Sequence, residues 1–195
     1  SVTAYTGSGV LLLGLLSTPP VVALYSLAEQ LYRAIQSLFA PVAQSLYPYM
    51  AKERDLALLR KVAAGCFAVA VTGAIVGHFI APWLITIMFG REWVASMPIL
   101  DVFLIAITVH VLTVLAGYPL AAAVDRLEVA NRSVVYGAVL YLALAATLAF
   151  LGAATPRAFA WLLVLSETAV LTYRLIALVP AAQRQMTQTM ATARK

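Results

Sequence analysis

The chain has 195 residues, of which 63% are apolar or aromatic, only 11% are charged, and the net charge is +5. A soluble domain is typically about half apolar and about a quarter charged, because a folded chain of this length still needs a polar surface. The composition therefore excludes a soluble enzyme and a disordered segment. A disulfide scaffold is excluded as well, since there is only one cysteine, Cys66. What remains is an all-α integral membrane protein.

Six apolar stretches follow one another and predict six membrane-spanning helices. They cover residues 2–17, 21–48, 62–88, 97–124, 133–152 and 158–181. Since a bilayer requires about 20 apolar residues, the first stretch is short, and several others are long enough to tilt or kink. We therefore predict a six-helix transmembrane bundle over residues 1–182 and a basic tail over residues 183–195. Because the chain begins with Ser rather than Met, we expect it to be part of a longer protein.

Basic residues are concentrated in alternate loops. Nine lie in residues 51–61, in residues 125–133 and in the tail after residue 180, against two, Arg91 and Arg157, in the intervening loops. The positive-inside rule then predicts that both chain ends are cytoplasmic. Indole rings prefer the membrane boundary, and the three tryptophans fall at the opposite, outer boundary: Trp83, Trp93 and Trp161. Scattered basic loops of this kind lack the clustered face of a nucleic-acid-binding protein.

A polar stripe runs along the second apolar stretch. Its spacings of three, four and seven place its members on one helix face: Ser26, Glu29, Arg33, Gln36, Ser37 and Gln44. A charge at mid-membrane costs about 2.5–3.5 kcal/mol on insertion scales and usually faces water or a partner. Two interpretations therefore stay open. In the first, the helix lines an aqueous path with Arg33 as an anion contact. In the second, Glu29 and Arg33, four residues apart, neutralise each other between helices. The additional Gln and Ser residues favour the aqueous path.

Further ionisable residues lie inside the other predicted spans. Glu167 and Arg174, in the sixth, predict contacts with neighbouring helices, with Arg174 reaching toward the cytoplasm. Asp101 is a candidate cation or proton site, or alternatively an acid at a helix start. His110 lies deeper in the same span and is expected to be a hydrogen-bonded core histidine, with a proton relay as the alternative.

Motifs of enzymes are absent from the sequence. There is no HExxH, CxxC, GxSxG or Gly-rich phosphate loop, and no pair of carboxylates at acid–base spacing. We therefore predict that the protein is not an enzyme, and that it holds no cofactor and no metal.

Two segments resemble a known family. The stretch VALYSLAEQLYRAIQSL at residues 22–38, followed by QSLYP at 44–48, resembles the Wzx-type polysaccharide (O-antigen) flippases of the multidrug/oligosaccharidyl-lipid/polysaccharide exporter superfamily. That family typically shows Y-S-x-A-E-x-L at the start of this helix and L-x-P at its end, before a basic loop. The segment MFGREW at 88–93 resembles the L-F-G-x-E-[FWY] outer loop of the same family.

The resemblance implies one lobe of a larger transporter. Members of the family have about twelve spans in two six-helix lobes around a central cavity, and this chain resembles the C-terminal lobe without the N-terminal one. The implied function is flipping of an undecaprenyl-diphosphate-linked oligosaccharide across the bacterial inner membrane by alternating access, coupled to an ion gradient. The implied partners are this lipid-linked oligosaccharide, membrane lipids, the missing N-terminal lobe and polysaccharide assembly proteins, and no nucleic acid.

The resemblance and the polar stripe together give candidate site residues. Arg33 is expected to face the diphosphate, because a guanidinium binds phosphate oxygens with a fixed fork of donors. The full set expected to bind substrate is Arg33, Gln36, Gln44, Tyr25 and Tyr32, with the tyrosines stacking on sugar rings. Glu29 and Asp101 are the candidates for ion coupling. Alternative functions are a drug/cation antiporter or a peptidoglycan-precursor flippase of the same superfamily, or a non-transporting membrane scaffold subunit.

Overall fold

The computed structural model describes residues 3–192, with side chains for residues 9–185 and 187. Seven α-helices follow in chain order: α1 (Thr3–Leu16), α2 (Pro19–Glu53), α3 (Leu56–Met88), α4 (Met97–Leu115), α5 (Tyr118–Ala123), α6 (Leu127–Phe150) and α7 (Pro156–Thr192). A short 3-10 helix at Arg91–Ser96 joins α3 to α4. Over the described residues the chain contains no strand, so the all-α prediction is confirmed. Arg194 and Lys195 of the predicted tail lie outside these residues.

Four helical stretches between residues 3 and 192 are long and apolar enough to cross a membrane: Leu56–Met88, Arg91–Ala123, Leu127–Phe150 and Pro156–Gln185. They correspond to the last four of the six predicted spans. The described part of α1 has 14 residues, and α2, with 35 residues, carries the polar stripe that lowers its hydropathy. The count of six spans therefore stays a prediction.

The fourth predicted span is broken into two helices. We predicted continuous apolar structure over 97–124, but α4 ends at Leu115 and α5 begins at Tyr118. Pro119 explains the break, because a proline has no backbone N–H for the helix ladder and its ring disfavours helical backbone at the preceding residue. Gly117 occupies the connection between the two helices.

Helix α2 continues beyond its predicted end. It passes through Pro41 and Pro48 to Glu53, whereas the apolar pattern ended at Pro48. A tight turn follows, in which Arg54 adopts a φ of 54° and the side chain of Asp55 caps α3 by accepting from Leu58 N at 2.9 Å. The predicted loop 51–61 is thus mostly helical. Helix α7 likewise runs past residue 182 to Thr192 without a break, so no helix end marks the predicted start of the tail.

Helix α4 lies at the centre of the bundle and packs against α2, α3 and α7. One apolar core surrounds Phe103 and Phe159, and a second surrounds Met50, Leu59 and Leu115. We call the end with the second core the basic end, because the α2–α3 and α5–α6 connections with their basic residues lie there. Helix α3 leaves most of its apolar side chains exposed, for instance Val69, Val76 and Phe79, as expected for a surface that faces lipid.

Candidate functional site

A cavity of about 790 Å³ lies toward the basic end, between α2, α4, α5, α6 and α7. Its polar and aromatic lining consists of Arg33, Gln36, Ser37, Gln44, Tyr47, His110, Tyr118 and Arg174. Apolar side chains, among them Phe39, Val114 and Val134, form the rest of the wall. A ligand site typically combines an apolar wall with a few polar groups that fix orientation, and this cavity has that composition.

The C-terminal part of the polar stripe on α2, from Arg33 to Gln44, faces this cavity. Arg33, Gln36 and Gln44 were all predicted as binding residues, and the structure brings the three together in one lining. Gln44 and Ser37 are exposed, and Arg33 and Gln36 are partly exposed. The stripe therefore does not pack against a dry protein seam over this part of its length.

Glu29 and Arg33 form an ion pair in the N-terminal part of the stripe. The Nε and Nη2 groups of Arg33 both donate to Glu29 Oε1, the former at 3.0 Å. The Glu29 side chain is 4% exposed, whereas that of Arg33 is 39% exposed. The structure thus combines the two interpretations that the sequence left open. The buried carboxylate is neutralised, as a buried charge requires, and the guanidinium still reaches the cavity.

A hydrogen-bonded chain joins α2, α4 and α7 beside this ion pair. Gln36 Nε2 lies 2.8 Å from His110 Nε2, and His110 Nδ1 lies 3.2 Å from Glu167 Oε1. Gln36 Nε2 also lies 3.2 Å from His110 Nδ1, so the tautomer of the imidazole decides which of these groups donates and which accepts. His110 is buried, as predicted. Its partners come from other helices, and no periodicity within one helix could have revealed them.

Arg174 is a lining residue that the sequence analysis did not assign to the site. We predicted contacts with neighbouring helices, and this prediction is confirmed, because the residue is only 3% exposed and its hydrogen-bond partners lie on α4 and α6. The reach of its side chain toward the cytoplasm stays a prediction. Its Nε donates to Ser133 Oγ at 2.7 Å and its Nη1 donates to Thr113 O. The carbonyl of Thr113 lies in the last turn of α4, where the helix dipole favours a cation. The guanidinium therefore lies at the break between α4 and α5, beside Gly117.

Tyr25 and Tyr32 lie outside the cavity lining. They are 2% and 1% exposed and pack on Phe103, with ring centroids 5.6 Å and 5.1 Å away, and Tyr25 also hydrogen-bonds to Tyr141. In this structure they form the deep core, and their role in sugar binding stays a prediction.

The tyrosines that do line the cavity are Tyr47 and Tyr118. Their rings meet edge to face at 6.1 Å, and Tyr118 OH donates to Asn131 Oδ1 at 2.9 Å. A signal for Tyr47 was present in the sequence, because it follows Gln44 by three residues and so continues the polar stripe. Tyr118 could be found only after the break between α4 and α5 was known.

Asp101 has a hydrogen-bond partner, His78, that is not among the candidate site residues. Its Oδ1 lies 2.7 Å from His78 Nδ1, and both residues line a second cavity of about 680 Å³ between α3 and α4. This second cavity shares no lining residue with the first. The structure therefore does not bring the two predicted ion-coupling residues together. Within the described part of the chain, no group of three or more His, Cys, Asp or Glu residues could hold a metal ion.

A mostly apolar cavity with a few polar lining groups, in a bundle with four helical stretches long and apolar enough to cross a membrane, defines the class as a membrane protein with a candidate ligand site. Residues 1–53, which include α1, α2 and the polar stripe, match the sequence model of a family described as polysaccharide biosynthesis protein. A protein of Shigella dysenteriae named "Putative O-antigen transporter" is 27% identical over 144 residues, which are 72% of this chain and 36% of that relative. The chain thus spans about a third of the length of this curated relative. No solved structure matches the chain.

Both similarities agree with the resemblance to the Wzx-type polysaccharide flippases that the motifs of α2 and of the α3–α4 connection carry. The match also covers the helix that carries Arg33, Gln36 and Gln44.

Proposed function

We propose that this chain is one lobe of a transporter that flips an undecaprenyl-diphosphate-linked oligosaccharide from the inner to the outer leaflet of the bacterial inner membrane. The lobe has six spans with both ends in the cytoplasm, and it works by alternating access together with an N-terminal lobe. In this orientation the basic end is cytoplasmic, and the cavity lies in the half of the bundle where the lipid-linked substrate is made available.

The observation that carries the proposal is the arginine-bearing wall of the cavity. The side chain of Arg33 pairs with Glu29 and is nevertheless 39% exposed. It lines a cavity whose wall is otherwise mostly apolar. An apolar wall suits a prenyl chain, and a guanidinium suits a phosphate because its planar fork of N–H donors matches two phosphate oxygens. A ligand with an anionic group next to a lipid tail combines both requirements.

The charge of the lining distinguishes this function from the main alternative. A drug/cation exporter would need carboxylates in its cavity, whereas the described residues that line this one include Arg33 and Arg174 and no Asp or Glu. A peptidoglycan-precursor flippase would also need an anion contact. The matched family and relative, described as polysaccharide biosynthesis and O-antigen transport, favour the polysaccharide substrate over it.

Substitution of Arg33 tests the proposal in the intact protein. We expect Arg33→Ala to abolish surface polysaccharide while the protein still inserts into the membrane in normal amounts. Arg33→Lys should retain only part of the activity, because lysine keeps the charge but not the bidentate fork. The measurements are surface polysaccharide by gel analysis and membrane protein level by immunoblot.

Leu38→Ala is a matched control on the same helix, because Leu38 is 72% exposed and does not line the cavity. It should leave surface polysaccharide unchanged. Surface polysaccharide at the wild-type level in Arg33→Ala would contradict the anion role and, with it, the flippase interpretation of this cavity.

A further inference from the structure

Two tyrosines form a pair in the wall of the cavity, toward the basic end of the bundle. Tyr47 lies in the last two turns of α2, and Tyr118 is the first residue of α5. Their rings meet edge to face, with centroids 6.1 Å apart. We call these two residues the tyrosine pair. The sequence analysis gave neither of them a role, because it placed the sugar contacts on Tyr25 and Tyr32, which the structure buries.

We propose that the tyrosine pair binds the sugar chain of the lipid-linked oligosaccharide, at sugars that lie well beyond the diphosphate. This inference rests on the proposed function and specifies which residues hold which part of the substrate. A pyranose ring carries hydroxyl groups at its edge and patches of C–H groups with a small positive charge on its faces. The face of an aromatic ring carries the complementary negative charge.

Both rings of the tyrosine pair are accessible from the cavity. Tyr47 is 37% exposed and Tyr118 is 46% exposed, and both side chains belong to the lining. In an edge-to-face pair each ring keeps at least one face that its partner does not cover. A sugar that enters the cavity can therefore stack on either ring.

Polar groups beside the tyrosine pair suit the hydroxyl groups of a sugar. Gln44 lies one turn before Tyr47 on the same face of α2 and is an exposed part of the lining. Its amide both donates and accepts hydrogen bonds. The hydroxyl of Tyr118 donates to Asn131 Oδ1 on α6 at 2.9 Å, which holds this ring in place, so that little side-chain freedom is left to lose on binding.

The length of α2 separates the tyrosine pair from the anion contact. Tyr47 follows Arg33 by 14 residues, which corresponds to a rise of about 21 Å along a helix. The same cavity is lined by both residues. A sugar attached directly to a diphosphate at Arg33 therefore falls short of the tyrosine pair, and only sugars further along the chain reach it.

The position of the tyrosine pair also favours a sugar over a prenyl chain as its occupant. In the proposed orientation the basic end of the bundle lies at the cytoplasmic side of the membrane. A prenyl chain stays in the hydrocarbon core because its transfer toward water is unfavourable, whereas an oligosaccharide is hydrated and extends toward the aqueous side.

The experiment measures binding to the intact protein in lipid nanodiscs by calorimetry, with two matched soluble probes. One is farnesyl diphosphate, and the other is farnesyl diphosphate that carries the oligosaccharide assembled on the lipid carrier of the source bacterium. We expect the wild type to bind the sugar-bearing probe about tenfold more tightly, because the polar and aromatic groups of the wall add contacts. Tyr47→Ala and Tyr118→Ala should each weaken this binding about threefold to tenfold, the size of a lost aromatic contact, and leave binding of farnesyl diphosphate unchanged.

Tyr49→Ala is the matched control for Tyr47→Ala. Tyr49 lies two residues further along α2 and is 42% exposed, but it does not line the cavity, so its loss should leave binding of both probes unchanged. Tyr47→Phe should bind like the wild type, because the ring face is kept. Thermal melting of each variant separates a loss of folding from a loss of contact. If Tyr118→Ala does not fold, Tyr118→Leu and Tyr47→Ala decide the question.

A third probe tests the placement along the sugar chain. It carries only the first sugar on farnesyl diphosphate and is too short to reach from Arg33 to the tyrosine pair. Tyr47→Ala should bind it as tightly as the wild type does. A loss as large as that seen with the complete oligosaccharide would overturn the placement beyond the diphosphate.

The outcomes separate this inference from the proposed function. Unchanged binding of the sugar-bearing probe in folded Tyr47→Ala and Tyr118→Ala, with binding of both probes still lost in Arg33→Ala, would overturn the role of the tyrosine pair and leave the flippase proposal intact. An equal loss with and without sugar in the tyrosine variants, or equal binding of the two probes by the wild type, would overturn it as well. Failure of the wild type to bind either probe would overturn both proposals.

Discussion

Arg33 is the residue at which stability and binding compete. Its guanidinium contacts Glu29 through two N–H groups and lines the cavity at the same time. A buried carboxylate holds its cation strongly, since little water is present to replace the contact. An anion that enters the cavity must therefore compete with Glu29 for the same guanidinium.

This competition predicts opposite effects of Glu29→Gln on binding and on transport. Removal of the carboxylate charge frees Arg33, so farnesyl diphosphate should bind several-fold more tightly, as calorimetry in nanodiscs can measure. If Glu29 is an ion-coupling residue, surface polysaccharide should fall in the same variant. Glu53→Gln is the control, since Glu53 is the last residue of α2 and does not line the cavity. Weaker diphosphate binding in Glu29→Gln would contradict the competition.

The sequence predicted individual residues well only where a single helix determines their surroundings. Spacing within α2 placed Arg33, Gln36 and Gln44 on one face, and the structure agrees. The partners of Asp101 and Arg174 lie on other helices, and the sequence carries no signal of which helix faces which. For Tyr32 the pattern gave the correct helix flank but could not tell a buried flank from a cavity wall.

Among the helices, α1 depends on a close approach to its neighbours at Gly9. A Cβ atom there would lie 2.7 Å from the hydroxyl of Tyr141 and 2.8 Å from that of Tyr25. These two tyrosines hydrogen-bond to each other and are buried, so neither hydroxyl can move away without disturbing that bond. Gly9 therefore allows α1 to pack on α2 and α6.

Alanine substitutions at two glycines of α1 test this packing. Gly9→Ala should destabilise the protein by about 1–3 kcal/mol, the usual cost of overpacking a core. Gly14→Ala should be neutral or stabilising, because no heavy atom lies within 4 Å of the added Cβ and alanine favours the helix. Chemical unfolding in detergent, followed by circular dichroism, measures both. Equal stability of the two variants would contradict the close contact at Gly9.

The apolar stretches predicted where the helices lie, but they did not predict where each helix ends. Each of the six apolar stretches corresponds to α1, α2, α3, the α4–α5 pair, α6 or α7. The ends differ because proline acts differently in different places. Pro41 and Pro48 remain inside α2, whereas Pro119, next to Gly117, lies at the start of a separate helix. The packing around each proline decides whether the helix continues or ends, and this packing cannot be predicted from composition alone.

At the scale of the whole molecule, the cavity that Arg33 borders lies in the basic half of the bundle. Aromatic side chains such as Tyr25, Tyr32 and Phe103 pack in the opposite half, where the second cavity, of about 680 Å³, lies between α3 and α4. With the predicted orientation, the 790 Å³ cavity belongs to the cytoplasmic side of the membrane. The positive-inside rule supplied this orientation from sequence, but only the packed structure shows in which half each cavity lies.

Cysteine labelling tests this asymmetry in the intact protein. In a Cys66→Ser background, Ser37→Cys and Gln44→Cys should react with a membrane-impermeant maleimide in inverted vesicles and not in spheroplasts, because both positions line the cavity. Val76→Cys is the control. Its side chain is 47% exposed but faces lipid in the proposed arrangement, so it should stay protected on both sides. Uniform protection of Ser37→Cys and Gln44→Cys would favour the scaffold interpretation.

The two prolines inside α2, Pro41 and Pro48, affect how easily this helix bends where it lines the cavity. A proline at position i offers no N–H to the carbonyl at i−4, so Pro41 and Pro48 leave the carbonyls of Ser37 and Gln44 without their helical donors. Ser37 and Gln44 both border the cavity. Helices bend most readily where such rungs are missing. This wall can therefore bend without breaking hydrogen bonds, and in the proposed transport cycle such bending would let a bulky substrate enter or leave the cavity.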